Sequence, residues 1–123
     1  MSRLFTLKDL PKEERPRERL VKFGEKSLAA QELLQIILGR GVSGESVAIT
    51  AQKLLSTFGS LEKIAQASLE ELRSIRGIGV AKAPQIKAAF EMGRRLYNQA
   101  LSYKIKDLNS LEKIFSVNNK RIN

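Results

Sequence analysis

Apolar residues along this chain recur at intervals of three and four, the spacing of one face of an α-helix, and no run before the last twenty positions alternates as a strand does. Leu28, Leu33, Leu34, Ile37 and Leu38 make one such face, on a helix predicted from about Ser27, with Ser27 as its N-cap and Gly39 as its stop. Gly39-Arg40-Gly41-Val42-Ser43-Gly44 is too glycine-rich to continue a helix, and Val47, Ala51, Leu54, Leu55 and Phe58 then resume the helical spacing. Ser60 opens a short helix carrying Leu61, Ile64 and Ala65, and Ser68-Leu69-Glu70-Glu71 is a capping-box start for a helix bearing Leu72 and Ile75. Arg76-Gly77-Ile78-Gly79-Val80 separates it from a basic helix, Ala81 to Tyr97, predicted to bury Ile86, Ala89, Phe90, Gly93, Leu96 and Tyr97. Near the start, Pro16 suits the first turn of a short helix that stops near Gly24.

The class is all-α, with about five to six helices and a C-terminal tail. Residues 1–26 read as a basic N-terminal segment with one short helix, 27–99 as the main domain, and 100–123 as a linker with one weak helix, Leu108, Leu111, Ile114 and Phe115. Within the domain, residues 27–58 and 68–97 form two helix-loop-helix units joined by a connector helix. Neither unit can bury its apolar face alone, so the two are expected to share a core about a pseudo-twofold axis.

Charge sharpens this picture. The 123 residues hold 22 Lys and Arg against 13 Asp and Glu, a formal +9 that favours polyanionic partners. Residues 27–67 balance three basic against three acidic groups, so the excess sits at the two ends and around the Gly-Ile-Gly turn. The chain has neither Cys nor His, which removes disulfides, thiolate or imidazole metal sites, His-based triads and cysteine nucleophiles, and is compatible with a cytoplasmic location. No cofactor and no enzymatic activity are expected of it. Apolar runs such as Leu33 to Leu38 end well before the roughly 20 residues of a membrane span, and Met1 to Lys12 lacks the pattern of an export signal.

The chemistry concentrates at the turn. Gly77 and Gly79 accept positive φ at little cost and let an anion approach the backbone, while the following helix adds free N–H groups and the positive end of its dipole. The candidate DNA-binding residues are therefore Arg76, Gly77, Ile78, Gly79, Val80, Ala81 and Lys82, with Ile78 expected to plug the core rather than touch DNA. Arg40, Gly41, Gly44 and Lys87 form a secondary set; the loop from Gly39 to Gly44 reads equally as a second phosphate loop or a plain connection. Contacts of this kind carry no base information. Pro84 falls where the first intrahelical bond would form if the helix began at Ala81, so that a bond is lost or the start moves one residue on. Arg15, Arg17 and Arg19 beside Glu13, Glu14 and Glu18 read as a solvated, mutually paired face, and Phe23, Phe58 and Phe90 as core.

Asp9-Leu10-Pro11, Arg15-Pro16-Arg17-Glu18-Arg19-Leu20, Gly24, Leu28, Glu32-Leu33-Leu34, Gly44-x-Ser46-Val47 and Gly77-Ile78-Gly79-x-x-Lys82-Ala83 together resemble the N-terminal region of the RadC family, DNA-repair-associated proteins also known as UPF0758. The likeness covers about residues 7–99. It implies a double helix-hairpin-helix domain that binds DNA, in front of a C-terminal JAMM domain, a zinc metallopeptidase-like fold with a His-x-His and Ser-x-x-Asp signature. That signature is absent, and without His the zinc site cannot exist in this chain, which looks like the front domain plus the beginning of the second, truncated or excised. Ala30, Gly39-Arg40-Gly41 and Pro84 depart from the family pattern, which usually has Asp, Arg-Thr-Gly and a small helix former there. The alternative function implied is a protein-interaction or regulatory module for such a JAMM domain.

Overall fold

A computed structural model of the chain describes residues 15–122, with side chains through residue 114. Its helices are α1 (Pro16–Phe23), α2 (Ala30–Leu38), α3 (Val47–Phe58), α4 (Leu61–Gln66), α5 (Leu69–Arg73) and α6 (Lys82–Ile122), with a single 3-10 turn at Glu25–Ser27. The protein is all-α: among the described residues the extended structure is one isolated antiparallel bridge between Val42 and Glu45. Asp9-Leu10-Pro11, Glu13 and Glu14 lie outside the described residues.

Local chemistry sets most helix starts. Ser46, Ser60 and Ser68 each accept a hydrogen bond from the amide three residues on, at Ile49, Lys63 and Glu71, satisfying one of the free N–H groups that every helix N-terminus leaves. At Ser68 the box closes, because Glu71 Oε1 accepts from the Ser68 amide at 3.1 Å. The start of α2 differs from the sequence reading. Ser27 does not cap it: its Oγ donates to Gly24 O at 2.7 Å inside the 3-10 turn, and α2 begins at Ala30 after Ala29. The same family of short polar side chains that caps helices also closes turns, and here the turn wins. Glu32 supplies the acceptor instead, taking the Ala29 amide at 3.1 Å.

The described residues divide into two compact units, one ending at Ala89 and the other beginning at Phe90. In the first, Leu34, Leu54, Ile64, Leu72, Ile78 and Ile86 are almost entirely buried, so every element from α2 to the start of α6 contributes to one core. At roughly 1.5–3 kcal/mol for each fully buried side chain, this shared core outweighs anything that helices of five or six residues could supply alone. The buried stripe of α2 is Leu34, Gln35 and Leu38, with Leu33 and Ile37 left partly exposed at its margins. Phe23, expected in the core, is exposed, with Lys22 Nζ 5.3 Å from its ring centre. Among the described residues Arg19 pairs outside its own segment: it bonds Glu32 and the Ser27 carbonyl, tying α1 to α2.

In the second unit, Leu96 and Tyr97, also expected to be buried, are 68% and 66% exposed, and Gly93 is exposed as well. Burial needs an opposing surface, and within residues 90–123 the described structure is a single helix. The segment from residue 100 is helical rather than irregular. α6 continues through it, because residues 94–116 contain neither Gly nor Pro to break the ladder.

Candidate nucleic-acid interface

The turn between α5 and α6 is built as its glycines require. Gly77 and Gly79 have φ of 97° and 36°. Ile78 is fully buried beneath them, and its amide donates to Ile75 O at 3.1 Å, so neither its side chain nor its N–H faces outward for a ligand. Gly79, Val80 and Ala81 are exposed, and the amides of Gly79, Val80, Ala81 and Lys82 make no hydrogen bond to an acceptor among the described residues. They sit at the N-terminus of α6, where unpaired donors and the helix dipole favour an anion. Pro84 takes the third position of α6, which starts at Lys82 rather than Ala81, so its missing N–H falls within the first turn.

Gly77 has a second reason to be glycine. A Cβ there would lie 2.8 Å from Thr50 Oγ1 and 2.9 Å from Glu45 Oε2. Glu45 is 8% exposed, and it accepts from Thr50 Oγ1 at 2.6 Å on one oxygen and from Lys53 Nζ at 2.6 Å on the other. The Lys53 bond first, then that of Thr50, hold its carboxyl below the usual range against the opposing effect of burial, with the Arg76 charge adding to the shift. The acid beside the turn is therefore already paired. Sequence reasoning missed this group because Glu45 precedes α3 and shares no helical spacing with Thr50 and Lys53.

The two glycine loops are bound to each other. Arg76 Nη2 donates to Ser43 O at 2.9 Å, across 33 residues of sequence, and Lys82 Nζ donates to Arg40 O. The Arg76 and Lys82 side chains thus both end on the backbone of the first glycine loop. Each bond to a carbonyl uses one donor of several, leaving four N–H groups on Arg76 and two on Lys82 for other acceptors.

The secondary set divides. Gly41 is required by its own turn, since a Cβ there would stand 2.4 Å from Glu45 O. Gly44, with φ of 82°, lies next to the Arg76 guanidinium, 3.5 Å from where its Cβ would be. Lys87 is committed elsewhere: its Nζ donates to Ala65 O at 3.1 Å and Ala67 O at 2.7 Å, closing the C-terminal end of α4. Among the described residues no group of three or more Asp or Glu side chains could hold a metal ion, and no helix is long and apolar enough to cross a membrane.

The UPF0758 N-terminal family pattern matches residues 7–84. A UPF0758 protein of Bacillus licheniformis is 54% identical over 94 residues, 76% of this chain and 42% of that protein. Another, from Caldanaerobacter subterraneus, is 52% identical over 90 residues, 73% of this chain and 39% of its own length; one from Geobacillus is 50% identical over 99 residues, 80% and 43%. The chain thus spans about two fifths of the length of the curated relatives it matches. No solved structure matches it. With a family pattern covering most of the chain and relatives at half identity across the paired hairpins, the protein belongs to the UPF0758 family, the RadC family of the sequence resemblance, and carries its N-terminal region.

Proposed function

We propose that this domain binds the DNA backbone without sequence preference and without chemistry of its own, in a role tied to DNA repair or recombination. The observation that carries the reading is the set of backbone amides from Gly79 to Lys82 that find no acceptor among the described residues, on a turn whose flanking Arg76 and Lys82 side chains reach the neighbouring glycine loop. A phosphate offers what those donors lack, and the formal +9 supplies long-range attraction. Gly77 and Ile78 support the shape of the turn and leave the contact to Gly79, Val80, Ala81 and Lys82. We take the location to be cytoplasmic, where such a partner is available.

Fluorescence anisotropy of labelled duplexes of unrelated sequence, titrated with salt, tests this. Affinity should be similar for each sequence and fall linearly on a log–log plot, by roughly 0.9 in slope for each phosphate neutralised. Arg76→Glu with Lys82→Glu should reduce both affinity and slope, with thermal melts confirming that the loops still fold. Absence of binding even at low salt defeats the proposal.

A second reading draws on a specific observation: Arg76, Lys82 and Lys87 all donate to backbone carbonyls within the domain. On this view the loops are structural and the domain is an interaction module for a zinc metallopeptidase-like JAMM domain elsewhere in a longer protein. Unchanged DNA affinity in the double variant, together with retained association with such a domain, would favour it.

A further inference from the structure

From Tyr97 onward α6 carries an apolar stripe that nothing in its own unit covers. The described structure of that unit is this one helix, yet Tyr97, Leu101, Leu108 and Leu111, between 42% and 66% exposed, follow one another along a single face. With Lys104 they fall at alternating steps of four and three residues, the a and d positions of a heptad repeat: Leu101 and Leu108 are a, and Tyr97, Lys104 and Leu111 are d. The sequence extends the spacing at Phe115. Steps of four and three in unbroken alternation are the seam of paired helices, and most of the stability of a helix comes from packing such a face. Lys104 and Asp107 are exposed and join no ion pair among the described residues.

We propose that this stripe is covered by the same stripe of a second copy of the chain, running antiparallel about a twofold axis beside position 106. In that register Leu101 lies opposite Leu111 of the second copy, and Leu108 opposite its Lys104. The Lys104 stem lies along the seam while its ammonium reaches outward, and the group it meets there is Asp107 of the second copy, at g on the same side. The twofold axis makes that pair twice. On the other side Ile105, at e, meets its own counterpart. Charge excludes the parallel arrangement, in which Lys104 shares a layer with Lys104 and Asp107 at g falls beside Glu112 at e, like charges in both places. The complementarity is that of the stripe with itself, which singles out a second copy as its occupant. The proposal is independent of the DNA-binding reading, whose residues belong to the first unit.

Sedimentation equilibrium of the full chain, loaded at about 1 to 100 μM, should show a reversible equilibrium between one chain and two. Leu101→Gln and Leu111→Gln, which keep good helix formers, should each weaken association roughly tenfold or more. Lys104→Glu and Asp107→Lys each bring four like charges together and should weaken it, while the two in one chain restore the pairing and should recover it. In a parallel pair Asp107→Lys would instead meet Glu112 and tighten the dimer, an outcome that overturns the antiparallel assignment. Circular dichroism follows α6 in each variant, and the charge exchange carries the test if the leucine variants lose helix. A chain that stays monomeric throughout, or a dimer that the leucine and charge variants leave unchanged, overturns the inference. So does a monomer that binds a separately supplied JAMM domain through Leu101 and Leu111.

Discussion

Gly77 shows how one residue serves backbone and packing at once. Its φ of 97° disfavours any side chain, and the space a Cβ would fill is held by Thr50 and Glu45. Gly77→Ala is expected to cost roughly 1–3 kcal/mol, read from urea unfolding, whereas Gly59→Ala, at φ of 92° with nothing within 4 Å, should cost less because only the backbone strain applies. Glu45 makes the same site sensitive to pH. The Lys53 and Thr50 hydrogen bonds hold its folded carboxyl below the ordinary carboxylate range, so the unfolded chain binds the proton first, and the stability it contributes is present above the ordinary carboxylate range and declines as pH falls through the lowered folded value. Glu45→Gln should flatten the acid limb of a stability-versus-pH curve measured by thermal melts; an unchanged limb would show that other carboxylates govern it.

At the scale of elements, α4 and α5 span six and five residues and cannot persist on their own propensity. Their ends are closed by specific groups: the Ser68 and Glu71 box opens α5, and Lys87, reaching from α6, satisfies the last carbonyls of α4. Ser68→Ala should cost about 1 kcal/mol. Lys87→Met should cost about 1–3 kcal/mol, since Ala67 is buried and its carbonyl would lose its donor. Hydrogen exchange in α4 reports the second effect directly, with faster exchange at Ile64 to Ala67 expected. Helices capped by Ser46, Ser60 and Ser68 were not equally legible: the box at Ser68 and the start at Ser60 are written in adjacent residues, whereas Ser27 looks like a cap and closes a turn instead.

For the whole molecule, the shared core is the cooperative unit. Leu54→Ala, at a position with no exposure, should cost about 2–5 kcal/mol and reduce DNA affinity only through loss of folded protein. A fixed salt slope with a lowered denaturant midpoint is the outcome expected. The paired loops were legible as two glycine turns at helical boundaries, because Gly, Pro and Ser act through local backbone preference. Their mutual bonding through Arg76 and Lys82 was not legible, and neither was the paired state of Glu45, because each joins residues far apart in sequence or out of helical register.

The sequence alone therefore determined what depends on near neighbours: an all-α chain, the positions of its turns, the buried plug at Ile78 and the excess of positive charge. Tertiary structure decided what depends on opposing surfaces. It left Phe23 and Leu96 exposed and withdrew Lys87 from the candidate interface by turning it onto α4. Helical periodicity says which residues share a face, but whether that face meets protein, ligand or water is set only when a second element is brought against it.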